Sequence, residues 1–270
     1  MIKEFIEEDL EKIINWIDPL ISDHQFSNPN FSSKEDVVQF LKNLSNTEKA
    51  YLVSKEKSLG LFAFAVVEEE SYMELIFSYA TEEEHYQEMF AYIQESYSGY
   101  QLDLVFNPHN PYLVHYAEKH NGIFYPIQIS MQLQQLQNLT HQKNIQKYQS
   151  KHFSGYQRIH STDTYYTAEK VVADGNFSVF LAMDKEDVIG YIDIRILKEN
   201  HCFIYDVYVE EKYRNQGYGQ ALFKEAYAKI NPKSLSLTVD VDNKAALKLY
   251  KNLGFYEIPL SESIFVSIQV

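Results

Sequence analysis

The feature that most constrains this chain is that its two halves repeat one pattern. SKEKSLGLFAFAVVEEE (54–70) parallels DKEDVIGYIDIRILKEN (184–200), with Gly60 opposite Gly190 at an offset of 130 residues. LDLVFNPHNPYLVHYAEKHNGIF (102–124) parallels LSLTVDVDNKAALKLYKNLGFYEI (235–258), with Asn110 opposite Asn243 at an offset of 133. Two matches at nearly one offset indicate an internal duplication, so the chain is expected to fold as two copies of one unit. Its 270 residues, 45% of them hydrophobic, suffice for two small cores. The glutamine-rich stretch QLQQLQNLTHQKNIQKYQS (132–150) reads as the connection between them. The expected division is 1–135, a linker at 136–150, and 151–270.

The second copy is the clearer of the two. FSVFLAM (177–183), VIGYIDIRIL (188–197) and CFIYDVYV (202–209) alternate or run apolar as three successive antiparallel strands. A helix follows, with Leu222, Phe223, Ala226 and Ile230 on its apolar side and Pro232 as its stop. SLSLTVDV (234–241) is the next strand. NKAALKLYKNLGF then supplies a second helix, with Ala246, Leu249, Tyr250 and Leu253 on one stripe and Gly254 placed as its C-cap. SIFVSIQV is read as a final strand. The fold class is α/β (α+β), each copy a mixed, mostly antiparallel sheet flanked by helices.

Between the third strand and the first of these helices lies YRNQGYGQALFKEAY (213–227), with two glycines at the entrance of a good helix. Each costs ~1 kcal/mol of helix propensity relative to alanine. Two explanations fit the spacing. The glycines make a tight strand-to-helix turn, or they let an anion reach the unpaired N–H groups and positive dipole end of the first turn. The first copy has ATEEEHYQEMFAYIQES (80–96) at this place, without glycine and with carboxylates at the helix entrance. Whatever the glycines do in the second copy, the first does not do.

VYVEEKYRNQGYGQALFKEAY resembles the central acetyl-CoA signature of the GNAT superfamily of N-acetyltransferases, R/Q-x-x-G-x-G/A after a strand, filled here by Arg214, Gly217 and Gly219. VDNKAALKLYKNLGFYEI resembles the second GNAT signature, N-x-x-A-x-x-[LF]-Y-x-x-x-G-F, at Asn243, Ala246, Leu249, Tyr250, Gly254 and Phe255. The resemblance covers about residues 177 to 258, and it implies two tandem GNAT-like domains of which the N-terminal copy has lost its acetyl-CoA signature. It further implies acetyl-CoA as co-substrate, with its pyrophosphate held by Arg214, Asn215, Gln216, Gly217, Tyr218, Gly219 and Gln220. Val207, Tyr208 and Val209 hold the thioester through main-chain groups, and Asn243 and Ala246 lie along the pantetheine arm. Tyr250 is implied as the acid that protonates the departing thiolate. In a chain with 22 tyrosines the same residue also reads as helix packing. Asp206 is either a base for the amine or a polar residue on the other face of its strand. Where some relatives place a glutamate base this chain has Phe203, leaving His201 and His160 as substitutes without supporting spacing.

The implied activity is direct acetyl transfer to a primary amine of a small molecule or peptide. The alternative is an acyl-CoA-binding sensor or scaffold without turnover. Net charge of −14 disfavours nucleic acid as partner; otherwise it reads either as a charge that keeps a protein dissolved or as an attraction for a cationic acceptor. The single cysteine, Cys202, makes no disulfide within the chain and lies at the wrong end of its strand to carry an acyl group. No paired-ligand cluster or P-loop lysine points to metal or nucleotide chemistry. The acidic N-terminus lacks a secretion signal, and the longest apolar run, 59–67, falls well short of the ~20 residues of a membrane span. A cytoplasmic location without membrane attachment is expected.

Overall fold

Alternating apolar residues set up strands that bury their faces, and the chain does this twice. The computed structural model describes residues 1–31, 33–55, 58–134, 136, 142–162 and 164–270. They form two compact units, the first of residues 1–129, 240–242 and 259–270, the second of residues 130–239 and 243–258.

In the first unit β1 (Ile2–Glu4), α1 (Leu10–Ile21) and α2 (Lys34–Lys42) precede three antiparallel strands, β2 (Glu48–Lys55), β3 (Ser58–Val67) and β4 (Tyr72–Tyr79). Then come α3 (Glu83–Ser96), β5 (Gln101–Phe106), α4 (Pro111–Lys119) and β6 (Ile123–Phe124). The second unit repeats this order. β7 (Gln128–Leu133) and β8 (Ile145–Lys147) lead into α5 (Phe153–Ile159), α6 (Ala168–Ala173), β9 (Phe177–Asp184), β10 (Asp187–Ile196) and β11 (His201–Val209). α7 (Tyr218–Ile230), β12 (Ser234–Asp240), α8 (Lys244–Leu253) and β13 (Phe255–Glu257) follow, and β14 (Ile264–Gln269) comes last.

The duplication is visible in register as well as in order. The antiparallel ladder of β3 with β4 shifts between Ala63 and Phe64, and that of β10 with β11 between Asp193 and Ile194, 130 residues later. In each unit one pair is parallel, β4 with β5 and β11 with β12. Asn110 caps α4 by accepting from the Tyr112 and Leu113 amides, and Asn243 caps α8 by accepting from the Ala246 amide. Gly254 closes α8 at φ 98°.

The strand orders are β1-β2-β3-β4-β5-β14-β6 and β8-β9-β10-β11-β12-β7-β13, alike strand for strand. The place between the fifth strand and the last is filled by exchange. β14, from the far end of the chain, runs antiparallel to β5 with Val266 opposite Leu104. β7, from between the repeats, takes the matching place beside β12. The expected boundaries at 135 and 151 therefore differ from the two units. Gln132 and Leu133 belong to a ladder strand, and 259–270 belongs to the first unit. Glutamines alternating with buried Met131 and Leu133 give β7 the composition of a linker while its pattern is that of a strand. Of the expected linker, residues 137–141 lie outside the described residues, and Ile145–Lys147 pairs with β9.

Helices cover both faces of the first sheet. α3 and α4 pack over Phe62, Phe64, Leu102 and Leu104, while α1 and α2 pack over Leu52, Leu61, Ala63 and Phe77 with Trp16 at the margin. In the second unit α5 and α6 cover Val179, Leu181, Met183 and Tyr191, and α7 meets α8 through Phe223 and Tyr250. No described helix is long and apolar enough to cross a membrane.

Val266 is fully buried in the first unit's core, so its effect on stability belongs to that unit. Val266→Ala is expected to cost about 2 kcal/mol. Urea titration followed by fluorescence of Trp16, the one tryptophan of the chain and a residue of the first unit, should show the midpoint fall.

Candidate functional site

The parallel ladder of β11 with β12 begins at His201–Ser234 and ends at Ile204–Leu237. Beyond it β11 continues to Val209 paired with β10 alone. The Glu210 amide donates across to the Ile189 carbonyl at 2.9 Å. Backbone groups alternate sides along a strand, so those of Val207 and Val209 point away from β10, toward the side that β12 has left. The Val209 carbonyl is met there by Arg214 Nε at 2.9 Å. The sequence-identified strand residues Val207, Tyr208 and Val209 thus line a parting of two strands that leaves main-chain groups unpaired by the sheet.

At the end of that strand, Glu211–Tyr213 makes one short helical turn and Asn215 adopts φ 61°. Gly217, the N-cap of α7, sits at φ 83°, a left-handed conformation that a side chain rarely tolerates. A Cβ built there meets nothing within 4 Å, so the space in front of the helix entrance is open. Gly219 serves packing, its missing side chain lying 3.3 Å from Leu249 of α8. Both explanations offered by the sequence fall on Gly217, whose positive φ makes the turn and whose open front leaves room for an anion, while the packing of Gly219 is neither. Arg214, Asn215, Gln216 and Gly217 are exposed, and Tyr218, Gly219 and Gln220 half-buried. The Arg214 guanidinium lies over the Tyr208 ring, and Gln216 is tied to the Lys212 carbonyl.

α8 brings Asn243, Ala246 and Tyr250 to the same unit. Tyr250 is buried against Phe223 and Phe255, and its hydroxyl has no hydrogen-bond partner among the described residues. Burial, and after it the charge of Asp206, pushes its phenol up to about 12. Asp206 lies on the wall of a cavity of about 1040 Å³, lined also by Arg158, Tyr191, Tyr208, Glu210 and Lys212. Its carboxylate accepts a 2.5 Å hydrogen bond from Tyr191. His160 is not on that wall; it is buried against Asp193 at 2.9 Å. His201 bonds Ser234 in the closed part of the ladder, and Cys202 is buried there with its thiol pushed up by that burial. Sequence reading missed Tyr156, Tyr191 and Asp193. The available signal was a charged residue, Asp193, in the middle of the apolar strand VIGYIDIRIL.

The first unit has the same parting, since the β4–β5 ladder ends at Leu75–Leu104. There it is filled from within. Counted from the helix N-caps Glu82 and Gly217, Glu84 stands at the position of Gly219, His85 at that of Gln220 and Tyr86 at that of Ala221. Tyr86 is buried, donates to the Ala80 carbonyl at 3.2 Å and accepts from Asn110. Asn28 donates to the Ile76 carbonyl, and fully buried His85 fills the space beside Gly60. The main-chain carbonyls of Ile76 and Ala80 are thus satisfied by this copy's own side chains.

Residues 141–255 match the family model described as Acetyltransferase (GNAT) family. The N-acetyltransferase YycN of Bacillus subtilis is 34% identical over 83 residues, 28% of this chain and 53% of that protein. N-alpha-acetyltransferase 30 of Xenopus laevis is 39% identical over 83 residues, 28% of this chain and 30% of its own. The chain thus spans about half or less of these relatives. A GCN5-related N-acetyltransferase structure from Sphaerobacter thermophilus superposes with a TM-score of 0.67 at 13% identity, covering 99% of this chain and 94% of its own. A tandem GNAT protein from the clavulanic acid biosynthesis pathway covers 100% of this chain and 98% of its own, with a TM-score of 0.55 at 11% identity. At such identities the likeness is one of fold, two GNAT-like domains in tandem.

One open and one filled parting predict one coenzyme A per chain. Isothermal titration should give a stoichiometry near one, and Gly217→Glu, which sets a carboxylate in the open space at the helix entrance, should abolish it.

Proposed function

We propose that this chain, whose residues 141–255 match the model of the GNAT family of acetyltransferases, is an acetyl-CoA-dependent N-acetyltransferase acting from its second unit on a primary amine. The observation that carries this reading is the parting of β11 from β12 beside an open, glycine-capped helix entrance.

The residues fit the co-substrate. The exposed loop from Arg214 to Gly217 and the first turn of α7 through Gln220 offer N–H groups and a positive dipole end to a pyrophosphate. The main-chain groups of Val207 and the Val209 N–H, left without a strand partner while Arg214 takes the Val209 carbonyl, offer the hydrogen bonds of a missing strand to the pantetheine arm, with Asn243 and Ala246 at the start of α8. When bound, acetyl-CoA supplies an acetyl group activated as a thioester. The Val209 N–H is the donor for charge that develops on an acyl oxygen. Tyr250 holds its proton at the phenol oxygen and gives it to a departing thiolate. Asp206, on the cavity wall, takes the acceptor's ammonium or its proton. Transfer is direct, because Cys202 is buried in the closed part of the ladder.

The cavity sets carboxylates of Asp206, Glu210 and Glu211 around two tyrosine rings, with Arg158 and Lys212 both paired to Glu210. A cationic amine is the acceptor this charge arrangement favours. Thiol release from acetyl-CoA over a panel of amines tests the reading. Tight binding without release from any amine would instead mark the chain as an acyl-CoA sensor.

Tyr250→Phe is expected to lower kcat by about 10²-fold or more with coenzyme A affinity unchanged, the range of a lost general acid. A phenol raised to about 12 stays protonated across neutral pH, so loss of its proton should reduce the rate only as pH rises toward that value. Rate profiles measured to pH 10 should show no alkaline fall traceable to Tyr250, and Cys202→Ala should keep full turnover.

A further inference from the structure

The register of β10 with β11 sets Asp193 directly opposite Asp206. Cross-strand partners share a sheet face, so two carboxylates project on one side, where like charges repel. The fold treats them differently. Asp193 is fully buried; its Oδ2 accepts from the Tyr156 hydroxyl at 2.7 Å and faces His160 Nε2 at 2.9 Å, while Oδ1 has no partner among the described residues. The other ring nitrogen of His160 faces the Ser161 carbonyl at 2.8 Å. A ring between a carboxylate and a carbonyl donates on both sides, as the imidazolium does. Burial opposes that charge, but the hydrogen bonds to Asp193 and the Ser161 carbonyl outweigh it and hold His160 above its ordinary range.

Asp206 has no such cation in ion-pair contact among the described residues. Its partner is the Tyr191 hydroxyl, which burial and then the Asp206 charge push well above the ordinary phenol range, so it remains a donor. Tyr191 in turn is clamped. The His160 ring stacks on it at 5.0 Å and 16°, and Tyr156 meets it edge-on at 5.3 Å and 89°. Both clamping rings are themselves bonded to Asp193.

We propose that Tyr191, held by the buried His160–Asp193 pair and Tyr156, is a positioning residue that fixes the Asp206 carboxylate through Oδ2 and leaves its other oxygen to dock the ammonium of a cationic acceptor. The buried pair thus serves acceptor binding at a distance, without touching the acceptor. This rests on the acetyltransferase reading only in taking an amine as the cavity's occupant.

Calorimetry on the full chain with saturating coenzyme A, titrated with butylammonium and with spermidine at pH 7, reads docking without turnover. Tyr191→Phe keeps the ring and its stacking and removes only the hydroxyl. It is expected to weaken amine binding about tenfold or more, the effect of losing a hydrogen bond to a charged group. Asp206→Asn should weaken binding at least as much, and the double variant no further, with coenzyme A affinity unchanged throughout. His160→Gln should weaken the amine likewise; if that variant does not fold, the Tyr191–Asp206 cycle decides alone. Wild-type affinity in Tyr191→Phe, losses that add in the double variant, or no amine binding that Asp206→Asn removes would each overturn the proposal. Thiol release is scored separately. Turnover with amine binding indifferent to Tyr191 leaves the enzyme reading standing without this one, and Tyr191-dependent binding without turnover does the reverse.

Discussion

The parallel ladder between β11 and β12 stops at Ile204–Leu237, and the rest of the second unit is organised around that stop. A sheet normally satisfies its backbone by continuing, so main-chain groups left over at a parting need another partner. Here the leftover groups of Val207 and Val209 face a gap whose outer end is the open entrance of α7 and whose opposite strand leads into α8 with Tyr250. A ligand with an amide-bearing arm and an anionic end fits both features at once. Asp206 and Tyr208, alternating with those valines, line a cavity on the other side.

The same parting in the first unit gives the control. Its backbone geometry is retained down to the register shift at Ala63, yet Asn28 and Tyr86, the latter held by Asn110, satisfy the carbonyls of Ile76 and Ala80 from within. The divergence between copies is one of bulk and charge at a helix entrance: Glu, His and Tyr stand where the second copy has Gly, Gln and Ala. The first copy puts His85 and Tyr86 at those positions into its own core.

Much of this was legible in the sequence because local rules dominate it. The strands of 177–209, the C-cap Gly254 and the glycine pair follow from periodicity and backbone preference, and all lie where their patterns put them. What was not legible depends on long-range pairing. The strand SIFVSIQV is a strand, but nothing local says that its Val266 and Ile268 complete the core of the first repeat, or that Met131 and Leu133 lie in the sheet of the second. Asp206 carried two readings because its partner, Tyr191, lies on a neighbouring strand. The His160–Asp193 pair joins residues separated by α6 and β9, and only the fold brings them within 2.9 Å.

The central claim is that one parting of strands is open and its repeat is closed. Hydrogen–deuterium exchange, read amide by amide with and without saturating coenzyme A, tests it most directly. Exchange is expected to slow at 207–209 and 216–220 and to stay unchanged at 77–80 and 83–86. Equal slowing in both copies, or none at 207–209 with coenzyme A bound, would contradict it.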